Sequence, residues 1–149
     1  MPSIVAIRKL HMDTMDELNV DAATRTDVNK LMDKMEQVCT GVALMQELTS
    51  RTRATLVSFG ERMSTRIFSS YLRSMDLRSR QYDAFDALGF IVTDEFENGN
   101  ILDQTYPNVA SALTLGSGDQ ASIAVVTAGV IENKPSTRDR SVTFGVPSG

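Results

Sequence analysis

The chain has 149 residues, 42% of them hydrophobic and 23% charged, with a formal net charge of −4; this is the composition of a folded globular domain, and it argues against disorder and against a general nucleic-acid binder, whose footprint is a basic excess. A single cysteine, Cys39, excludes an internal disulfide and a cysteine-rich metal cage, and a single histidine, His11, argues against zinc sites and serine–histidine catalysis. No apolar run approaches the roughly 20 residues that cross a bilayer, and the N-terminal stretch MPSIVAIRKLHMD has the wrong charge order for a secretory signal, so a reducing, cytosol-like compartment is the default expectation.

Over residues 3–18, Ile4, Ile7, Leu10, Met15 and Leu18 recur at a helical period. Asn19-Val20-Asp21 breaks the pattern, and Thr24 or Thr26 is the expected cap of a longer helix reaching about residue 48. The stripe of that helix is Val28, Leu31, Met32, Met35, Val38, Cys39, Val42, Met45 and Leu48, with charges on the remaining arc. The two segments read as an antiparallel helix pair laid against a larger body. The methionines read as core filling, which thioethers do well, with a partner-binding groove as the rival; Cys39 reads as inert filler.

Thr49-Ser50 marks a break, and a third helix is expected over residues 55–75. At about 100° per residue, Leu56, Gly60, Met63, Ile67 and Tyr71 form one stripe and Val57, Ser64, Phe68, Leu72 and Met75 the next. Arg62, Arg66, Ser69 and Arg73 then fall on the opposite, solvated side. Beyond lie a strand-like stretch at 79–82, a second β-rich run at 89–93, and the acidic residues Asp94, Glu95 and Glu97. Asn98-Gly99-Asn100 signals a turn. A helix is expected over 103–115 with Pro107 in its first turn. Residues 121–127, ASIAVVT, are the best strand of the chain and have the short apolar form of a buried parallel strand. The stretch SVTF reads as a last strand. Helices followed by alternating strands and helices give an α/β domain.

Glu61 is the sharpest chemical feature. It falls inside the apolar half of the third helix, beside Gly60, which costs a helix interior about 1 kcal/mol relative to alanine. Two unfavourable neighbours point to a close approach of some group to the backbone there. One reading is a buried glutamate satisfied by an arginine or backbone amides, since unpaired burial of charge is costly; the other is a carboxylate held for a cationic group such as an amino-acid ammonium. The acidic cluster at 94–97 reads as a solvated loop, with metal binding as its rival. Arginines 51, 53, 62, 66, 73, 78 and 80 read as solvated faces rather than phosphate ligands. Neither GxGxxG nor GxxxxGK[ST] is present.

The blocks IRKLH, ELTSRTRATLVSFGERMSTRIF, RQYDAF, GFIVTDEF, ILDQTYPNV and AVVTAG follow one another along the chain. In this order they resemble the aspartate kinases, above all the monofunctional, plant-type branch. The resemblance covers residues 7–127, and more faintly the stretch to 145. It implies the amino acid kinase fold, a carbamate kinase-like three-layer αβα sandwich, carrying here an N-terminal helix pair. It also implies transfer of the ATP γ-phosphoryl group, with Mg²⁺ as counter-ion, to the side-chain carboxylate of L-aspartate. By that resemblance Glu61 contacts the substrate, with Ser58 and Gly60 of the same S-x-G-E block beside it, and Thr127, Gly129 and Thr143 line the cleft.

This sequence also departs from the family pattern. A KFGG(T/S)S-type strand and loop is not found, and Val146 stands where the TTLGRGGSD block has its arginine. RQYDAFDALGF is one residue longer than the usual spacing. The expectation is therefore that residues 1–149 make up part of a catalytic domain, inactive alone, with a non-catalytic interaction module as the alternative. No individual catalytic residue and no metal ligand is assigned. The family's habits imply a homo-oligomer, and plant-type relatives imply a plastid.

Overall fold

Two side-chain caps decide where the long helices begin. In the computed structural model, which describes residues 2–84, 100–117 and 122–127, helix α1 spans Pro2–Glu17, α2 Ala22–Met45 and α3 Ser50–Ser74. The cap of α2 is Asp21, not Thr24 or Thr26. Its carboxylate accepts the backbone N–H of Thr24 at 2.8 Å and the Thr24 hydroxyl at 2.9 Å. A carboxylate at this position satisfies one of the amides that the first helical turn leaves unpaired. Thr26 instead donates its hydroxyl to the Ala22 carbonyl. Thr49 caps α3 by accepting the Thr52 N–H at 3.1 Å, so this helix starts a turn earlier than its apolar pattern indicates. At its far end Asp76 takes a left-handed φ of 60°. The Leu77 N–H reaches the Leu72 carbonyl and the Asp76 N–H that of Arg73, which is a Schellman stop.

The core is a seam of methionine and branched side chains between these helices. Met15, Val28, Met32 and Met63 are essentially inaccessible, and Ile4, Val20, Leu31, Met35, Phe59 and Ile67 close around them. For these methionines the core reading holds; Met45 and Met75 are exposed. Cys39 packs partly buried against the same cluster. The expected α1–α2 pair is the lesser packing, since α2 lies mainly along α3. Ile7 and Leu10, expected on the buried stripe of α1, are exposed.

Strands β1 (Ser79–Asp83) and β2 (Ile123–Thr127) pair in parallel, with Ser79 opposite Ile123 and Asp83 opposite Thr127. The parallel strand read from ASIAVVT is present, with Val125, opposite Gln81, buried, and Tyr82 of β1 buried as well. Between them in sequence, α4 (Thr105–Ser117) begins with Thr105 buried and Pro107 in its first turn, as expected. No helix of the described residues is long and apolar enough to cross a membrane. The strand expected at 89–93, the acidic residues Asp94, Glu95 and Glu97, and the SVTF strand lie outside the described residues.

Helix α3 is the element whose faces the sequence misassigned. Met63 and Ile67 are buried as expected, joined by Phe59. The second stripe is not buried: Val57 and Phe68 are each 52% exposed. The second buried face is instead the one carrying Arg62, Arg66 and Ser69, which was read as solvated. Ser69 is 1% exposed, and the arginine side chains are 27% and 17% exposed. The physical reason is that α3 packs against both strands as well as against α2, and its sheet-facing side meets polar partners that make burial of arginine and serine tolerable.

Candidate functional site

The polar face of α3 fixes the helix antiparallel to β1. Near the start of the strand, the Ser69 and Ser79 hydroxyls lie 2.9 Å apart, and Ser79 Oγ donates to the Ser69 carbonyl at 2.6 Å. At the end of the strand, Arg66 meets Asp83 through two bonds, Nη1 to Oδ1 at 3.1 Å and Nη2 to Oδ2 at 2.6 Å. Arg62 Nη2 adds a bond to Asp83 Oδ2 at 3.3 Å, and Gln81 Nε2 one to Oδ1 at 2.9 Å. Arg66 Nη1 also donates to the Arg62 carbonyl at 2.8 Å, so one guanidinium ties a helical turn to the strand end. Burial would raise the Asp83 carboxyl, but the bonds and charge of Arg66, with Gln81 and Arg62, hold it down at about 2.

Asp83 and Thr127 are the last residues of the two parallel strands. The carboxyl ends of such strands are where open α/β sheets take their ligands. Because α3 runs against β1, the turn preceding Arg62 stands at this edge. That turn holds Ser58, Gly60 and Glu61.

Glu61 is half-buried, and its Oε2 is closed to solvent with no hydrogen-bond partner among the described residues. The reading in which an arginine satisfies it does not hold: the adjacent Arg62 turns to Asp83, and Arg62 Nε is itself buried and unpartnered. A buried, unmatched carboxylate oxygen is costly, and a ligand cation would relieve that cost. Beside it, a Cβ placed on Gly60 meets nothing within 4 Å. The expected close approach to this backbone is therefore not made by any of the described residues. Ser58 is buried, and its hydroxyl donates to the Thr55 carbonyl at 2.7 Å. Thr127 ends β2; Gly129 and Thr143 lie outside the described residues. Arg62, Arg66 and Asp83 are the residues that sequence reasoning missed. Their signal was the 62, 66, 69, 73 spacing, one polar stripe at helical period on a helix that must also cover a sheet.

The other end of α3 carries a separate polar cluster. Asp21 accepts from Ser70 Oγ at 2.8 Å and from Arg73 Nη2 at 2.9 Å. Partial burial pushes the Asp21 carboxyl up, but the bonds from Thr24, Arg73 and Ser70 hold it far below the usual carboxylate range. An open depression lined by Asn19, Asp21, Ala23, Ser70, Arg73 and Ser74 lies there. It is roughly 18 Å along the helix from Glu61, and its charged groups already satisfy one another.

No family model matches the chain. Over 107 residues, 72% of its length, it is 50% identical to aspartokinase 1, chloroplastic, of Arabidopsis thaliana. The chain is a relative of the plant aspartokinases. Aspartokinase 2, chloroplastic, of the same plant is 46% identical over 121 residues, 81% of the chain. The chain spans about a fifth of the length of these two relatives, 18% and 22%. The crystal structure of E. coli aspartokinase III in complex with aspartate and ADP superposes with a TM-score of 0.68 at 20% identity, over 83% of this chain and 27% of that one. At that identity the likeness establishes the fold, an α/β amino acid kinase arrangement of which the described helices and parallel strands form part.

Proposed function

We propose that this chain forms the aspartate-binding side of an aspartokinase catalytic domain, with Glu61 receiving the substrate's α-ammonium group. The observation that supports the reading is the Glu61 carboxylate, which has a solvent-closed oxygen without a partner among the described residues, one position before Arg62, which bonds the last residue of β1. A fixed anion there orients a zwitterionic amino acid with its side-chain carboxylate directed away along the cleft, and orientation of this kind is the larger part of what a phosphoryl-transfer enzyme supplies. Gly60 leaves room for the substrate to approach the helix. Ser58 keeps the turn in shape through its bond to Thr55.

In the complete enzyme the reaction is phosphorylation of the aspartate side chain by ATP with Mg²⁺, the entry to lysine, threonine and methionine. Arg62 and Arg66 are committed to Asp83, and no three acidic, histidine or cysteine side chains among the described residues converge on one point. With Val146 at the arginine position of the family block, a stabilising donor is missing whose loss alone typically costs 10²–10³ in rate. The 149-residue chain is therefore expected to bind aspartate and to form no aspartyl hydroxamate from ATP and hydroxylamine. The names of the plant relatives support a plastid location.

Calorimetric titration with L-aspartate and with succinate, which lacks the ammonium, tests the role of Glu61. The chain should prefer aspartate, and Glu61→Gln should abolish that preference. Equal preference in chain and variant would remove Glu61 from the substrate site.

A further inference from the structure

We propose that Asp83, acting through Arg66, is a positioning residue for Glu61; the inference rests on the reading of Glu61 given above. The Oε2 of Glu61 has no hydrogen-bond partner among the described residues, so no bond to that oxygen decides where it stands. Its place is set by the helical turn that carries it. That turn is held from one side by a single charged assembly. Arg66 forks onto both oxygens of Asp83 and bonds the Arg62 carbonyl with the same guanidinium, while Arg62, the residue after Glu61, reaches Asp83 Oδ2.

Asp83 is anchored in turn. It closes β1 in register with Thr127 and receives Gln81 from its own strand. Its side chain is 16% exposed and that of Arg66 17%, so the pair is shielded from competition by water and salt. A planar guanidinium holding a carboxylate through two bonds fixes direction as well as distance. The clamp thus transmits the position of the strand ends, where ligand binds, to the carboxylate expected to hold it. A displacement of about 1 Å at such a group is enough to cost a factor of 10² in catalysis.

A double-mutant cycle on the 149-residue chain, read as the Kd for L-aspartate by NMR titration, separates this role from simple support of the fold. Asp83→Asn and Arg66→Lys should each raise Kd about tenfold, and Glu61→Gln at least as much. In the Glu61→Gln background, Asp83→Asn and Arg66→Lys should have almost no further effect, because they act through Glu61. Arg66→Lys keeps the charge and the helix while losing the fork, so it carries the test if Asp83→Asn does not fold by circular dichroism. A Glu61 effect without an Asp83 or Arg66 effect, or effects that add fully in the double variants, would overturn the positioning role alone. A Kd unchanged by Glu61→Gln would overturn the substrate role of Glu61 and this inference with it.

Discussion

Helix α3 has two buried faces that do different work. Toward α2 it presents Phe59, Met63 and Ile67, apolar side chains sealed into one seam with Met15, Val28 and Met32. Toward the sheet it presents Arg62, Arg66 and Ser69, each joined to a named group on β1. The apolar face is held by area removed from water, which is large in energy and loose in direction. The polar face contributes less net stability, because desolvation offsets much of each ionic bond, but it fixes direction. The contrast teaches that the apolar seam decides whether α3 is present, and the polar face decides where Glu61 points.

That contrast breaks most visibly in the core. Met63→Ala should lower stability by about 3 kcal/mol, the usual cost of a large-to-small change at a sealed site, read as a shifted urea midpoint. Whatever variant remains folded should bind L-aspartate nearly as well as the parent chain.

Acid titrates the other face. The Asp83 carboxyl, held at about 2 by Arg66 against its own burial, has a folded value below its unfolded one. Its contribution is therefore complete above about pH 4 and is lost as pH falls toward 2. It amounts to about 1–2 kcal/mol once solvent screening is allowed for. Chemical denaturation across that window should show the loss, and Asp83→Asn should remove the corresponding part of the slope.

Asp21→Ala deletes the α2 cap and the Arg73 partner. It should cost about 1 kcal/mol and leave aspartate binding unchanged, since that cluster sits at the opposite end of α3. A rise in Kd would move the site to the depression beside Arg73. Gly60→Ala should separate the two properties in the opposite sense. With no described residue within 4 Å of a new Cβ, the helix should gain about 0.5–1 kcal/mol, while a substrate that packs on this glycine should bind more weakly.

Much of the helical frame was legible in the sequence. The breaks at 19–21 and 49–50, the Met32, Met35 and Met63 seam and the parallel strand ASIAVVT follow from periodicity and composition. The cap at Asp21 was displaced by one turn because Thr24 also has a capping side chain; Asp21 bonds Thr24 itself. The error on α3 has a deeper cause. Periodicity finds a buried face by its apolar residues, and Val57 and Phe68 supplied an apolar arc that is exposed. A face buried through guanidinium and hydroxyl partners looks solvated until those partners, on another element and distant in sequence as Asp83 is from Arg62, are known. Glu61 was singled out for apolar surroundings that are not buried: it shares the arc of Val57 and Phe68, which is exposed. The lack of any partner for its Oε2 among the described residues is a fact only the fold could supply.

The most direct measurement is a backbone amide shift map of the chain as L-aspartate is added. The account predicts the largest changes at Ser58, Gly60 and Glu61 and at the strand ends, Asp83 and Thr127, with Asn19, Asp21 and Arg73 unmoved. Changes centred on Asn19, Asp21 and Arg73, with the turn around Glu61 silent, would contradict it.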